Sequence, residues 1–405
     1  MRIVAEPADP ELVIVAHDRP AALKRLLSSL AQATYPGHGV PLTVSIDQSA
    51  RSAEVEAVAS AFDWTHGAKT ILAHPRHLGL RAHVLACGDL ALERRAIVLL
   101  EEDVSVSPCF YEFLQRVVPA YAEDARVAGV GLCLYGMHPY AYVESLSPVF
   151  APLEDGGDTW FARYAPSWGE CVTGRQWGAF RSWLGRRDAT TGSPGLRRVP
   201  RAVREWPEDS WKKLFIEHLV DCDRYFAFPR VALSVHWGDA GSHLPWATDR
   251  FQVPLRVGTP AHLEPTPLVV SRARYDAHFE IEPGCLAAFD DALGEHDFEC
   301  DLYGVKEAGE LSSPLVLTAR RGPRALRRWA DEMTPPELNV ALGLEGDGLR
   351  LVRAEDAIPA GQTGPVPVSS RYAFSPRDPF GDPRAGALRV MRSSASAGGH
   401  PVRTA

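Results

Sequence analysis

Three consecutive carboxylates, Glu101-Glu102-Asp103, follow the apolar run Ile97-Val98-Leu99-Leu100. Adjacent negative charges repel one another, and a divalent cation relieves that repulsion. Asp and Glu oxygens are the hard ligands that Mg2+ and Mn2+ prefer. The β-branched Ile97 and Val98 suit a buried strand. Carboxylates at the C-terminal end of such a strand lie where open α/β sheets bind ligands. A solvated acidic loop would have the same composition, so the neighbouring elements decide between the two readings.

Other groups capable of chemistry also sit where short apolar runs end. His17-Asp18-Arg19-Pro20 closes Leu12-Val13-Ile14-Val15-Ala16, and Asp47 closes Leu42-Thr43-Val44-Ser45-Ile46. Further on, Glu205-Trp206-Pro207-Glu208-Asp209-Ser210-Trp211 precedes a helical pattern from Trp211 to Val220. Asp209 there suits a helix cap or first-turn acid, and equally a general base. His236-Trp237-Gly238-Asp239-Ala240-Gly241-Ser242-His243 follows a strand-like run from Phe226 to Val235. Its glycines let backbone N–H groups approach a phosphate. A zinc site on His236 and His243 lacks the further nearby Cys or His that structural zinc requires.

The elements that must position these groups alternate in type. Pro20 can open a helix in which Leu23, Leu26, Leu27 and Leu30 recur at helical spacing. A helix over Ala53 to Phe62, a strand over Lys69 to Ala73 and a helix over Leu80 to Leu92 lead into the run before the triplet. Cys109 to Val118 is helical, Gly129 to Cys133 a strand, and Gln176 to Leu184 a helix. This β-α-β-α-β-α-β order predicts a doubly wound, mostly parallel sheet with right-handed crossovers. Strand ends converge on one edge of such a sheet, so Arg19, Asp47 and the triplet can face one ligand. No G-x-G-x-x-G follows the first strand and no G-x-x-x-x-G-K-[ST] occurs anywhere, which argues against a dinucleotide fold or a P-loop.

Composition narrows the class further. A chain of 405 residues predicts more than one domain. A net charge of −8 gives no support to a nucleic-acid surface. The seven cysteines are odd in number and lack any C-x-x-C pair, so neither a disulfide framework nor a structural zinc site is expected. Nothing resembles a signal peptide or a transmembrane span, and a cytoplasmic setting, with room for peripheral membrane association, is the expectation. Beyond about residue 250 the pattern changes. Strands are expected at Val269 to Arg272 and Phe279 to Ile281, and a helix over Cys285 to Leu293. From Ala357 onward Pro, Gly, Ser and Arg dominate without hydrophobic period, which predicts a disordered tail.

His17-Asp18-Arg19-Pro20, the strand ending in Asp47, and Leu100-Glu-Glu-Asp-Val-Ser-Val-Ser-Pro-Cys-Phe-Tyr-Glu-Phe-Leu together resemble nucleotide-sugar glycosyltransferases of the GT-A fold. The likeness is to the N-acetylglucosaminyltransferases that initiate hybrid N-glycans and to bacterial enzymes sharing their pattern. It spans residues 10 to 245 and, thinly, 295 to 320. The resemblance implies a nucleotide-sugar half over residues 1–120, an acceptor half over 121–250, an accessory region over 251–355 and a tail over 356–405. It implies Asp103 as ligand of Mn2+ or Mg2+, Asp47 against the nucleobase, and Glu102 near the ribose. Arg19, Arg81, Glu101, Ser242 and His243 are implied as further donor-binding groups. The triplet here is Glu-Glu-Asp where the family has Glu-Asp-Asp.

Ser167-Trp168-Gly169-Glu170-Cys171-Val172-Thr173 resembles the family's acceptor-side segment, in which a Trp face can stack on a sugar. The catalytic base is implied at Asp209, with Glu208 in reserve. The eukaryotic enzymes carry an acidic pair nearer Lys212-Lys213, where this chain has none. The implied donor is an NDP-sugar, in particular a UDP-sugar, and the acceptor a glycan, a lipid-linked glycan or a small molecule. Two alternatives stay open from the residues: a metal-dependent nucleotidyltransferase, and a catalytically degenerate sugar- or nucleotide-binding module.

Overall fold

The computed structural model describes residues 9–37, 39–141, 147–189, 197–240, 247–249, 251–259, 262–322, 324–358 and 373–374. The first half alternates as its periodicity predicts: β1 (Glu11–Ala16), α1 (Pro20–Ala31), β2 (Leu42–Ile46), α2 (Ser52–Ala61), β3 (Lys69–Ala73), α3 (Leu80–Asp89) and β4 (Ala96–Glu101). Pro20 occupies the first turn of α1, where its missing N–H costs nothing, and Leu23, Leu26, Leu27 and Leu30 form the buried face. β1 is buried along its whole length, as a strand covered by helices on both sheet faces must be.

There follow β5 (Val104–Val106), α4 (Phe110–Tyr121), β6 (Val127–Gly131), β7 (Ser147–Pro148), β8 (Thr159–Ala162), β9 (Glu170–Thr173), α5 (Gly174–Ala189), α6 (Arg201–Arg204), α7 (Trp211–Asp221), β10 (Tyr225–Pro229), β11 (Ser234–His236) and β12 (Arg274–Tyr275). One nine-stranded sheet runs β12-β8-β10-β6-β9-β4-β1-β2-β3. Strands β4, β1, β2 and β3 are mutually parallel, whereas β9 is antiparallel to both β4 and β6. The fold is therefore α/β with a large, mixed, mostly parallel sheet flanked by helices. Two extensive apolar clusters lie on its opposite faces, one around Leu12, Ile14 and Leu100 and the other around Val13, Val15 and Leu99. That division follows from the two-residue period of a strand.

Several elements depart from the sequence expectation for local reasons. The Trp168 to Thr173 segment yields a strand, β9, which enters the sheet between β4 and β6. The run from Phe226 to Val235 is two strands rather than one. It breaks after Pro229, where the Arg230 guanidinium turns to the Leu153 carbonyl (2.6 Å) and to Asp155 (2.6 Å). Val269 to Arg272 lies in a turn, and the strand forms instead at Arg274–Tyr275, joining the central sheet beside β8. The expected helix Cys285 to Leu293 splits into two short ones at Asp290, whose side chain accepts from the Leu293 N–H and so starts the second.

A separate four-stranded sheet is built from β13 (Phe298–Asp301), β14 (Leu315–Thr318), β15 (Arg327–Trp329) and β16 (Leu349–Arg353), in the order β13-β14-β16-β15. It is tied to the central body through Glu280, which accepts from the backbone N–H groups of Leu302 (2.7 Å) and Tyr303 (2.9 Å). Glu310 adds a second tie, accepting from the Arg201 N–H (2.9 Å) and from Arg204 (2.8 Å). The tail beyond Ile358, apart from residues 373–374, lies outside the described residues. Among the described residues no helix is long and apolar enough to cross a membrane.

Candidate functional site

The parallel half of the sheet brings the predicted groups to one edge. Glu101 is the last residue of β4, and Glu102 extends the ladder, its N–H donating to the Val15 carbonyl (3.1 Å). Arg19 leaves β1 just before α1 and reaches across to the triplet. Its Nε donates to Oε1 of Glu102 (3.0 Å) and its Nη1 to Oδ2 of Asp103 (2.7 Å). Glu102 also accepts from the His17 N–H (2.9 Å). These two carboxylates are 2% and 5% exposed, so their charges depend on these partners rather than on water.

His236 completes the group, and sequence spacing had not linked it to the triplet. β11 pairs antiparallel with β5, placing His236 opposite Val104, and the Trp237 N–H donates to the Asp103 carbonyl (3.1 Å). Nδ1 of His236 accepts from the Gly238 N–H (2.9 Å), so its proton sits on Nε2, which donates to Oδ2 of Asp103 (3.0 Å). With the tautomer set this way, Nε2 is a donor, and His236 orients the carboxylate. Trp168 stacks on the imidazole, with ring centroids 5.3 Å apart. Burial pushes the Asp103 pKa up, but His236 and Arg19 more than offset it and bring it down to about 2.

Oδ1 of Asp103 is buried and has no hydrogen-bond partner. An ionised oxygen left so is costly unless something fills the place, and a hard divalent ion has the required charge and ligand preference. The free Oδ1 of Asp103 is thus compatible with the ion that the triplet implies.

Glu101 faces the other way from Glu102, toward the helical layer that holds α7. It shares a cavity of about 10 Å³ with Glu170, Ser167, Val84 and Trp211. Burial, then the nearby Asp103 charge, raises the Glu101 carboxyl to about 8. Glu170, paired in register with Leu99 on β4, is fully buried with neither carboxyl oxygen partnered. Burial and the Glu101 charge push it well above the ordinary carboxylate range. The Lys212 ammonium lies 4.4 Å from the centre of the Tyr164 ring and donates to Ser167 Oγ (3.3 Å). No pattern in the sequence singled out Glu170, whose neighbours read as an aromatic-rich acceptor segment.

Asp47 is brought to the same edge but is already engaged. Oδ1 accepts from the N–H groups of Gln48 (2.9 Å) and Leu78 (2.7 Å), and Oδ2 from that of Gly79 (3.0 Å). Although burial opposes it, these bonds and the neighbouring His77 lower its pKa. Its carboxylate therefore anchors the turn into α3. Arg81, in the first turn of that helix, donates to the Glu208 carbonyl (3.3 Å), linking the start of α3 to the loop before α7.

In that loop the cap is Ser210, whose side chain accepts from the Lys213 N–H; Asp209 is exposed and free of the capping role. Glu208 is paired with Lys213 (2.5 Å), and that bond lowers its pKa. Lys213 is buried and also donates to the carbonyls of Arg204 (2.8 Å) and Trp206 (3.0 Å), so it pins the loop. Ser242 and His243 lie outside the described residues. Neither protein-family models nor curated proteins match this chain.

Proposed function

We propose that the protein is a metal-dependent, inverting glycosyltransferase of the GT-A type, moving a sugar from an NDP-sugar, in particular a UDP-sugar, to an acceptor hydroxyl. The observation that carries this reading is Asp103: a buried, ionised carboxylate at the ligand edge of a parallel sheet, with one oxygen held by Arg19 and His236 and the other unpartnered. Asp103 would hold Mn2+ or Mg2+, and the bound ion supplies charge neutralisation for a diphosphate leaving group. Arg19, which bridges Glu102 and Asp103, would add positive charge beside the same group. Asp209, exposed in the loop before α7, takes the acceptor proton as the acceptor oxygen bonds to the anomeric carbon and the bond to diphosphate breaks. General-base assistance of this kind contributes about 10²–10⁴-fold. Trp168, stacked on His236 and half-buried, offers an apolar face for a sugar ring.

A thermal-shift screen of nucleotide sugars with Mn2+ and Mg2+, followed by transfer assays over an acceptor panel, tests the reading. The expected result is stabilisation by one nucleobase class that needs the metal and is lost in Asp103→Ala. Sugar transfer that persists in Asp103→Ala and after chelation would overturn the metal assignment. Stabilisation by nucleoside triphosphates alone would favour nucleotidyl transfer, and sugar-nucleotide binding without turnover would favour a binding module.

A further inference from the structure

The ends of β1, β2 and β3 carry a second constellation that the sugar-transfer chemistry does not use. The parallel order β1-β2-β3 sets three successive strand ends side by side, and the segment after each contributes one group: His17, Asp47 and, four residues past β3, His77. Ligand atoms from the three lie within 4.8 Å of one another. Nδ1 of His77 is 3.0 Å from Oδ2 of Asp47, and the rings of His17 and His77 are 5.4 Å apart.

The three groups divide the work as ligand sets do. Asp47 is buried and held in a fixed orientation by three backbone N–H groups, from Gln48, Leu78 and Gly79. Hydrogen bonds of that kind to a ligating carboxylate are the usual outer support of a metal site. His17 and His77, with side chains 44% and 58% exposed, leave the outer side open to solvent and to a further ligand. Nδ1 of His77 lies 3.0 Å from Oδ2 of Asp47 and makes its hydrogen bond to the Gln48 carbonyl (3.1 Å), so that nitrogen carries a proton. A metal ion entering there replaces that proton, which passes to solvent.

We infer that His17, Asp47 and His77 bind a first-row divalent transition ion of the Zn2+ class, at a position separate from Asp103. Two imidazoles and one carboxylate select borderline ions such as Zn2+ over Mg2+, whereas a lone carboxylate oxygen, the free Oδ1 of Asp103, favours the harder ions. Three protein ligands with an open outer side leave room for water or a substrate atom in the fourth position. The inference stands whether or not the protein transfers sugars.

The untagged, chelator-stripped full chain is titrated with Zn2+ by calorimetry in excess Mg2+, and Co2+ is then substituted for its visible absorption. One tight equivalent is expected, with a Co2+ spectrum of low-coordinate type. His17→Gln and His77→Gln, both at exposed positions where folding is not at stake, should each weaken Zn2+ at least tenfold and change the Co2+ spectrum. Asp103→Asn should leave the Zn2+ affinity within twofold of wild type. Equal Zn2+ affinity in wild type and His77→Gln, or loss of the ion in Asp103→Asn instead, would overturn the assignment.

Discussion

Replacing Arg19 by Met probes the central electrostatics of the site. The substitution keeps the length of the stem and removes the guanidinium that bonds Glu102 at 3.0 Å and Asp103 at 2.7 Å. Breaking a buried ion pair from one side costs about 3–5 kcal/mol, because a desolvated charge is left behind. Here each carboxylate keeps one partner, the His17 N–H for Glu102 and His236 for Asp103, and Arg19 itself is 30% exposed. The lower end, about 3 kcal/mol, is therefore the expected loss. In a large domain that corresponds to a fall in Tm of about 6 °C.

The loss should be partly reversible by metal. With the guanidinium gone, two uncompensated carboxylates and the free Oδ1 of Asp103 attract a divalent cation more strongly. Chemical denaturation with and without Mn2+ separates the effects: Mn2+ should stabilise Arg19→Met more than wild type, by about 1.4 kcal/mol for each tenfold gain in affinity. A variant within about 1 kcal/mol of wild type, or one with an unchanged response to Mn2+, would refute the view that Arg19 compensates metal-binding carboxylates.

Two further predictions follow from buried titratable groups. Glu170 has neither oxygen partnered, and its carboxyl is raised well above its ordinary value, so the folded state holds a proton that the unfolded chain releases above pH 4.5. Its cost therefore grows with pH, and Glu170→Met should stabilise the protein by about 1–3 kcal/mol, more at pH 8 than at pH 5 in urea denaturation. A destabilised variant at both pH values would contradict the burial of an unpaired carboxyl. His218, buried with neither ring nitrogen partnered, is lowered by burial to about 3 from 6.5. The unfolded chain then takes up a proton the folded chain refuses, so stability is full above pH 6.5 and falls toward pH 3. His218→Phe should flatten that slope by up to about 1.4 kcal/mol per pH unit, and an unchanged pH profile would count against it.

The local part of this architecture was readable from the chain. Alternating apolar runs and leucines at helical spacing located β1, α1, β2, β3 and β4 to within a residue or two; β1, β2 and β4 are buried runs on a helix-covered sheet, and β3 is its exposed edge strand. The second half was less legible. β9 is only four residues long and lies within an aromatic-rich segment whose composition carries no period. Short strands such as β8, β9 and β12 form because neighbouring backbones offer them partners, and that information is held elsewhere in the chain.

The same division runs through the site. The sequence alone determined that carboxylates and an arginine stand at the ends of β1, β2 and β4, since a strand's end and its last side chain are set within a few residues. Only the tertiary structure decided how those groups are used. His236 is 133 positions from Asp103 and reaches it through the β5–β11 ladder. Asp47 is held in orientation by the backbone of the next turn, and Glu170 meets Glu101 because an antiparallel strand entered beside β4. Residue type and local period specify a group's chemistry and the element that carries it. The partner that charges, desolvates or orients that group arrives through a long-range contact, which leaves no local pattern to read.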